Sequence, residues 1–419
     1  MHPSWPLRRL IAVLACTSVL LLPQATTSAA PARPRLLVGE PGSGPQMALP
    51  QTPSATNGIT WSDVPKRHWA RTAIDYVGAT YEWMRDTKQN PDGTYDFQPD
   101  QLESRELFAR ALVRAFAPDE PIDDTIHFSD LPDDDRFYPM ANVAVKLGWM
   151  TTDADGNFSP ADPATTRMVH RALVLALGLG DAAQGAQDLH MRNGTKFDTP
   201  PDFGTLLIGM RIGLRYNHST ESMDVGPDTP LPRAEVAWSL YRAATQSDWV
   251  AGSLAPYATI ELPNLSAAMQ RVVNFGIAYV GYPYVWSGEW FEPSPVDYCC
   301  GYQPVGGFDC TGIIWWAMRA ASSTYDPPPR DYQGWSLPQR SSAEMAASGG
   351  KVRFNDLRPG DLMFYDGDGD GDGVVDHANT YLGKGWALDS GSSVAGVSIV
   401  QVDVGWYHDH FVHGRRIIK

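Results

Sequence analysis

Between residues 59 and 245 the chain carries one pattern three times, and repetition at this scale restricts the fold more than any other feature. WSDVPKRHWARTAIDYV at 61–77 is echoed by FSDLPDDDRFYPMANVAVKLG at 128–148. Each copy then reaches an aromatic-x-Pro turn and a second helix, FQPDQLESRELFARALVRA from Phe97 and FSPADPATTRMVHRALVLAL from Phe158. A third copy ends PDTPLPRAEVAWSLYRA from Pro227, and an arginine opens the second helix each time, at Arg105, Arg167 and Arg233. A unit this short cannot bury an apolar face alone, so the copies are expected to stack into an all-α bundle.

The flanking segments have a different texture. Arg8 and Arg9, the apolar run Leu10 to Leu22 and the small residues Ser28, Ala29 and Ala30 read as an export signal over 1–30, so the mature chain is expected to be secreted, at the cell wall or cell surface. Cys16 within the run offers a lipidation site as an alternative. No other segment approaches the ~20 apolar residues of a membrane span. Pro-, Gly- and Ser-rich residues 31–58 read as a disordered linker, and 246–263 as a second linker. From residue 264 to 419 a helical pattern gives way to short strands and turns, which predicts an α+β domain. The formal charge is −15, and loss of the signal with its two arginines makes it −17. Such a balance disfavours nucleic acid and anionic lipid and favours sugars, peptides or divalent ions as partners.

Without Cys16 three cysteines remain, an odd number for an exported chain. Cys299 and Cys300 are neighbours in DYCCGYQPVGG, so a disulfide between them would leave Cys310 as the free thiol, whereas a bridge to Cys310 would silence it. Cys310 lies in GGFDCTGIIWWAMRAA, where Gly307 and Asp309 precede a largely apolar helix. At the first turn of a helix, free N–H groups and the positive end of the dipole stabilise a thiolate, which still needs a base, commonly His. A buried structural cysteine is the plainer alternative. DGDGDGDGVVDH, from Asp366, places Asp368, Asp370, Asp372 and Asp376 in a D-x-D-x-D-G-x-x-D register that suits a structural Ca2+, with Gly373 at the turn and Asn379 where a bidentate Glu is usual. A solvated acidic turn is the other reading. His408 and His410 in WYHDHFVHGRR are placed on one side of a strand, where they could ligate zinc, but no H-E-x-x-H accompanies them. Trp286, Trp290, Trp315 and Trp335 could stack on sugars or simply pack a core.

Two resemblances organise these observations. The repeats are similar to S-layer homology repeats, which resemblance implies a helical bundle binding an anionic secondary cell-wall polymer, with Arg105, Arg167 and Arg233 facing it; ESREL and TTRMV depart from that family's pattern. GYPYVWSG at 281–288, FDCTG at 308–312, LRPGDLMFY at 357–365 and DHANTYLGKG at 376–385, in that order, resemble the NlpC-type cell-wall endopeptidases, papain-like cysteine peptidases. That resemblance implies Cys310 as nucleophile, His377 as base, and Tyr284, Asp309 and Thr311 at the substrate. It places Asp389 where the residue orienting His377 belongs, a position where His is common. The substrate it implies is peptidoglycan, cut between D-glutamate and diaminopimelate. Calcium bound just before His377 is expected to set that residue's angle. A wall-anchored structural protein with a degenerate peptidase domain is the alternative, and an amidase or acyltransferase a third.

Overall fold

One aspartate in each of the first two copies explains why the copies repeat. Asp63 accepts hydrogen bonds from the backbone N–H groups of Phe97 (2.9 Å) and Gln98 (2.6 Å), and Asp130 accepts them from Phe158 and Ser159 (both 2.7 Å). Each carboxylate pins an aromatic-x-Pro turn whose second residue, Gln98 or Ser159, has a left-handed backbone. The second helix follows at once, and Ser104 and Thr165 cap it by accepting from the N–H three residues on.

This computed structural model describes residues 58–247, 249–290, 306–320, 339–367, 373–392 and 395–417. The export signal, Cys299, Cys300, Trp335 and the loop residues Asp368, Asp370 and Asp372 lie outside the described residues. In chain order the repeats form α1 (Arg71–Ile74), which runs into a π-helix at Asp75–Thr80, then α2 (Arg105–Phe116), α3 (Tyr138–Lys146), α4 (Thr166–Ala176), α5 (Gly180–Gln187), the short strand β1 (His190–Met191), α6 (Phe203–Arg211) and α7 (Arg233–Ala244). At their centre the three copies exchange backbone hydrogen bonds in a closed ring. Ala164 N–H donates to Glu103 (2.7 Å), Leu231 N–H to Ala164 (2.8 Å), and Glu103 N–H to Leu231 (3.0 Å).

The repeated arginines close the same ring from outside. Arg105 Nε donates to the Phe158 carbonyl (2.7 Å), Arg233 Nε to the Phe97 carbonyl (2.9 Å), and Arg167 Nη1 to the Pro201 carbonyl (2.7 Å). Arg105 and Arg233 also lie over the Phe158 and Phe97 rings. Asp228 grips Arg167 with both oxygens, and Arg233 pairs with Glu103 and Asp86. The arginines expected to face a polymer are therefore turned onto the neighbouring copy, where the Phe158, Pro201 and Phe97 carbonyls take their donors.

The expected linker at 246–263 is folded instead. It forms α8 (Trp249–Leu254), a 3₁₀ turn at Ala255–Thr259 and β2 (Glu261–Leu262), which pairs in parallel with β1. Its apolar residues Leu254, Tyr257, Ile260 and Leu262 are buried, so the end of the helical repeat is followed by a packed segment and not a linker. Next come α9 (Ala267–Tyr279), β3 (Glu289–Trp290), β4 (Gly307–Phe308), α10 (Cys310–Ala320), α11 (Ser342–Ala346), β5 (Gly350–Val352), β6 (Leu362–Tyr365), β7 (His377–Gly383), β8 (Trp386–Gly391), β9 (Gly396–Gln401), α12 (Gly405–Asp409) and β10 (Phe411–Arg416). Six strands make one antiparallel sheet in the order β5-β10-β6-β7-β8-β9. Helices α9 and α10 pack on it, and Gly276 lets α9 approach Leu388 closely. The sheet's β9 edge meets the repeats: Gly396 lies against Tyr282 and Met210, and Tyr257 donates its hydroxyl to the Ile399 carbonyl (2.9 Å).

Glu103 is fully buried, and burial pushes its carboxyl up to about 7 even though Arg233 works the other way. Arg233→Met, which strands that acid, is expected to cost about 3–5 kcal/mol in urea unfolding. Adding Glu103→Gln should recover part of the loss.

Candidate active site

Cys310 is the first residue of α10 and only 7% exposed, and among the described residues it is a free thiol. Asp309 stands just before the helix and accepts from the Gly312 N–H (2.5 Å), so it caps the helix start. Arg340 holds this cap from below. Its Nη1 donates to Asp309 Oδ1 (2.7 Å) and its Nη2 to Asp309 Oδ2 (2.6 Å) and the Gly288 carbonyl (3.0 Å). Nη1 also donates to the Thr311 hydroxyl, which itself donates to Asp309 (3.1 Å). Asp309 and Thr311, expected at the substrate, thus share a buried clamp that fixes the backbone on both sides of Cys310. Tyr284 lies half-buried beside them, bridged to Phe308.

His377 is the first residue of β7, and its Nε2 lies 2.8 Å from Asp389 Oδ1. The Cys310 side chain also interacts favourably with the imidazole, and because Nε2 faces Asp389, Nδ1 is the ring nitrogen left for the sulfur. Asp389 sits on β8 with no exposed surface, and Tyr407 in α12 donates its hydroxyl to the other carboxylate oxygen (2.8 Å). The structure therefore brings together Cys310, His377 and Asp389 in one line and adds Tyr407 behind it. Burial pushes the His377 pKa down, but the Asp389 carboxylate and the bonds to Asp389 and Cys310 outweigh it, so the pKa is held well above the usual 6.5. The rings of Tyr365, Trp406 and Tyr407 stand 5.7, 6.1 and 6.4 Å from the imidazole and wall it from water on that side. Ser390, next to Asp389, donates to the Phe308 carbonyl (2.8 Å), tying β8 to the residues that lead into Cys310.

A further charge reaches this line from the repeats. Burial works against the guanidinium of Arg211, at the end of α6, and its interactions with Tyr257, Tyr407 and Asp389 offset that penalty. Tyr407, Arg340, Ser390 and Arg211 were not singled out from the sequence. Each acts across 18 or more residues, so no local spacing marks it, although Arg340 follows a Pro shortly before a capping box.

The acidic loop is described only at its ends. Asp376 Oδ1 accepts from the Gly367 N–H (2.5 Å), and Gly373 has φ +73°, the left-handed backbone that a calcium loop needs at its turn. The zinc reading of His408 and His410 meets a different backbone. Residues 405–409 are a helical turn rather than a strand, because the His410 N–H donates to the Trp406 carbonyl, and His410 Nδ1 and its ring face are also taken up by Trp406. Among the described residues no three His, Cys, Asp or Glu side chains form a metal-holding cluster. Trp315 is buried in the core, whereas Trp286 is exposed.

Residues 281–416 match the model of the NlpC/P60 family. The chain is 27% identical over 148 residues to a bifunctional muramidase/DL-endopeptidase of Bacillus subtilis, covering 35% of this chain and 36% of that protein. It is 31% identical over 132 residues to a probable endopeptidase of Mycobacterium tuberculosis, covering 32% of this chain and 26% of that one. The chain thus spans between about a quarter and about a third of the length of these curated relatives. A solved NlpC/P60 family protein from Bacillus cereus aligns at 24% identity over 38% of this chain and 42% of its own, with a TM-score of 0.27.

Asp389→Asn keeps the shape but removes the charge that offsets burial of His377. Its imidazolium should then lose the proton at lower pH, and the alkaline limb of kcat/KM should move down. The maximum should fall on the order of 10²–10⁴-fold. A limb that stays in place would show that Asp389 does not set the titration of His377.

Proposed function

We propose that the NlpC/P60 domain at residues 281–416 makes this chain a secreted thiol peptidase that cuts the stem peptide of bacterial peptidoglycan, between D-glutamate and diaminopimelate. The observation that carries the reading is the hydrogen-bonded line from His377 through Asp389 to Tyr407, with Cys310 at the start of α10 interacting with the imidazole. Its support on the side of the bond cut is the relative from Bacillus subtilis, a DL-endopeptidase by name.

In this mechanism the pair works as a thiolate and an imidazolium. The Cys310 sulfur attacks the scissile carbonyl, and the negative oxygen that develops is met by N–H groups at the start of α10. His377 Nδ1 gives its proton to the departing amine and then takes one from the water that releases the acyl group. Asp389 accepts from Nε2 throughout, which holds the tautomer and leaves Nδ1 facing the sulfur. Tyr407 holds the second carboxylate oxygen, so Asp389 cannot turn away.

Calcium and anchoring belong to the same proposal. Asp368, Asp370, Asp372 and Asp376 would hold Ca2+, which supplies a charge that folds the loop entering β7. The repeats, read as S-layer homology-like, would keep the enzyme at its insoluble substrate and raise its effective concentration there.

Digestion of purified peptidoglycan, with products analysed by mass spectrometry, tests this reading. New D-glutamyl ends are expected from the unmodified protein, absent with Cys310→Ala and reduced after chelation of calcium. Turnover untouched by chelation, with the loop shown to be empty, would remove calcium from the account. No cleavage by either protein, with wall binding retained, would favour a structural wall protein instead.

A further inference from the structure

The outer edge of β9 is closed by residues that lie outside the sheet. The Val397 N–H donates to the Tyr282 carbonyl (2.9 Å), the Gly281 N–H to the Val397 carbonyl (3.2 Å), and the Tyr257 hydroxyl to the Ile399 carbonyl (2.9 Å). Side chains alternate along a strand, so Gly396, Ser398 and Val400 line one face of β9. Ser398 stands directly opposite Asp389 in the β8–β9 register, and cross-strand partners share a face. This is the face on which Asp389 meets Tyr407, whereas Leu388 turns the other way, onto α9.

Helix α6 of the repeats ends against that face. A Cβ on Gly396 would stand 2.9 Å from Met210 Cε, so the last turn of α6 sits on the strand itself. Arg211 is the next residue and the last of the helix. Its side chain is half-buried, and its guanidinium interacts favourably with Tyr257, Tyr407 and Asp389. Packing alone does not account for it. Arg211 Nε is buried and has no hydrogen-bond partner among the described residues, and the same holds for the Ser398 hydroxyl opposite Asp389. Burying a guanidinium is costly, so a charge kept here is kept for the groups that it faces.

Those groups carry an imbalance of charge. In the thiolate–imidazolium pair of the mechanism above, the charges of Cys310 and His377 cancel. Asp389, with no exposed surface, then has a hydrogen-bond donor at each oxygen but no net positive charge to match its own. Arg211 supplies that charge from the Tyr407 side, away from the sulfur. A neutral side chain of the same length would fill the space and leave the carboxylate uncompensated, free to seek water or a new partner.

We propose that Arg211 is a positioning residue for the peptidase site: lent by the repeats, it holds Tyr407 and Asp389 in the arrangement that turns His377 towards Cys310. The proposal rests on the peptidase reading for the reaction that is served. The repeats are then a working part of the active site, and lifting α6 from β9 silences the site with Cys310, His377 and Asp389 all intact.

The test uses the full chain. Arg211→Met and Arg211→Gln remove the charge and keep most of the length, Arg211→Lys keeps the charge, and Met210→Ala on the same turn is the packing control. Each protein is assayed for hydrolysis of a soluble, glycan-free stem peptide and for alkylation of Cys310 by iodoacetamide, followed on its own peptide by mass spectrometry. The neutral variants should lose kcat on the order of 10²-fold with KM nearly unchanged. Alkylation should slow with it, because a displaced imidazole no longer supports the thiolate. Arg211→Lys should recover most of both losses. Met210→Ala should lower the unfolding midpoint and leave kcat and alkylation at their normal values. Normal kcat and alkylation in a folded neutral variant would overturn the proposal. So would losses that Met210→Ala reproduces and Arg211→Lys does not recover. Absence of cleavage by the unmodified chain would sink the peptidase reading alone, since alkylation slowed by Arg211→Met and restored by Arg211→Lys would still show that Arg211 positions the site.

Discussion

A carboxylate with no exposed surface, that of Asp389, is the constraint around which the C-terminal half is built. Burying Asp389 is costly unless its charge is met by hydrogen bonds and opposite charge. Tyr407 satisfies one oxygen and His377 the other, and His377 becomes a stronger base in consequence. The same arrangement that makes Asp389 tolerable therefore raises the proton affinity of His377, beside Cys310. Structure and chemistry depend on one pair of bonds.

The Cys310 side of the site is fixed by separate means. Arg340 gathers Asp309, Thr311 and the Gly288 carbonyl, so the helix start cannot shift relative to the strand before it. Ser390 then couples that strand to β8, one residue from Asp389. Cys310 and His377 stand on different elements, α10 and β7, and these two ties hold the elements in register. The aromatic wall of Tyr365, Trp406 and Tyr407 lowers the local dielectric, which strengthens each of these polar contacts.

The repeats are joined to this half through packed contacts rather than a loose tether. Tyr257 reaches the β9 edge, Gly396 admits Tyr282 and Met210, and Arg211 brings a positive charge towards Asp389 and Tyr407. The closed ring through Glu103, Ala164 and Leu231 gives the three copies a common centre. Arg233 is buried at that centre, while Arg105 and Arg167 lie half-buried against the neighbouring copy.

Much of this was legible in the sequence. The repeat period, the helices after each aromatic-x-Pro turn, Cys310 at a helix start and the order of Cys310, His377 and Asp389 are all local patterns, set by spacing and residue type. The roles of the repeated arginines were not, because a donor at a helix start reads the same whether it faces a polymer or the carbonyl of the next copy. The 246–263 segment reads as a linker because the helical repeat stops there, while burial of Tyr257 depends on a sheet edge more than a hundred residues away. Arg340, Ser390, Tyr407 and Arg211 have partners distant in the chain, and only folding brings those partners within bonding distance. Sequence determined which chemical groups are present and which elements carry them. Tertiary structure decided which groups face one another, because a buried charge chooses its partners by proximity in space.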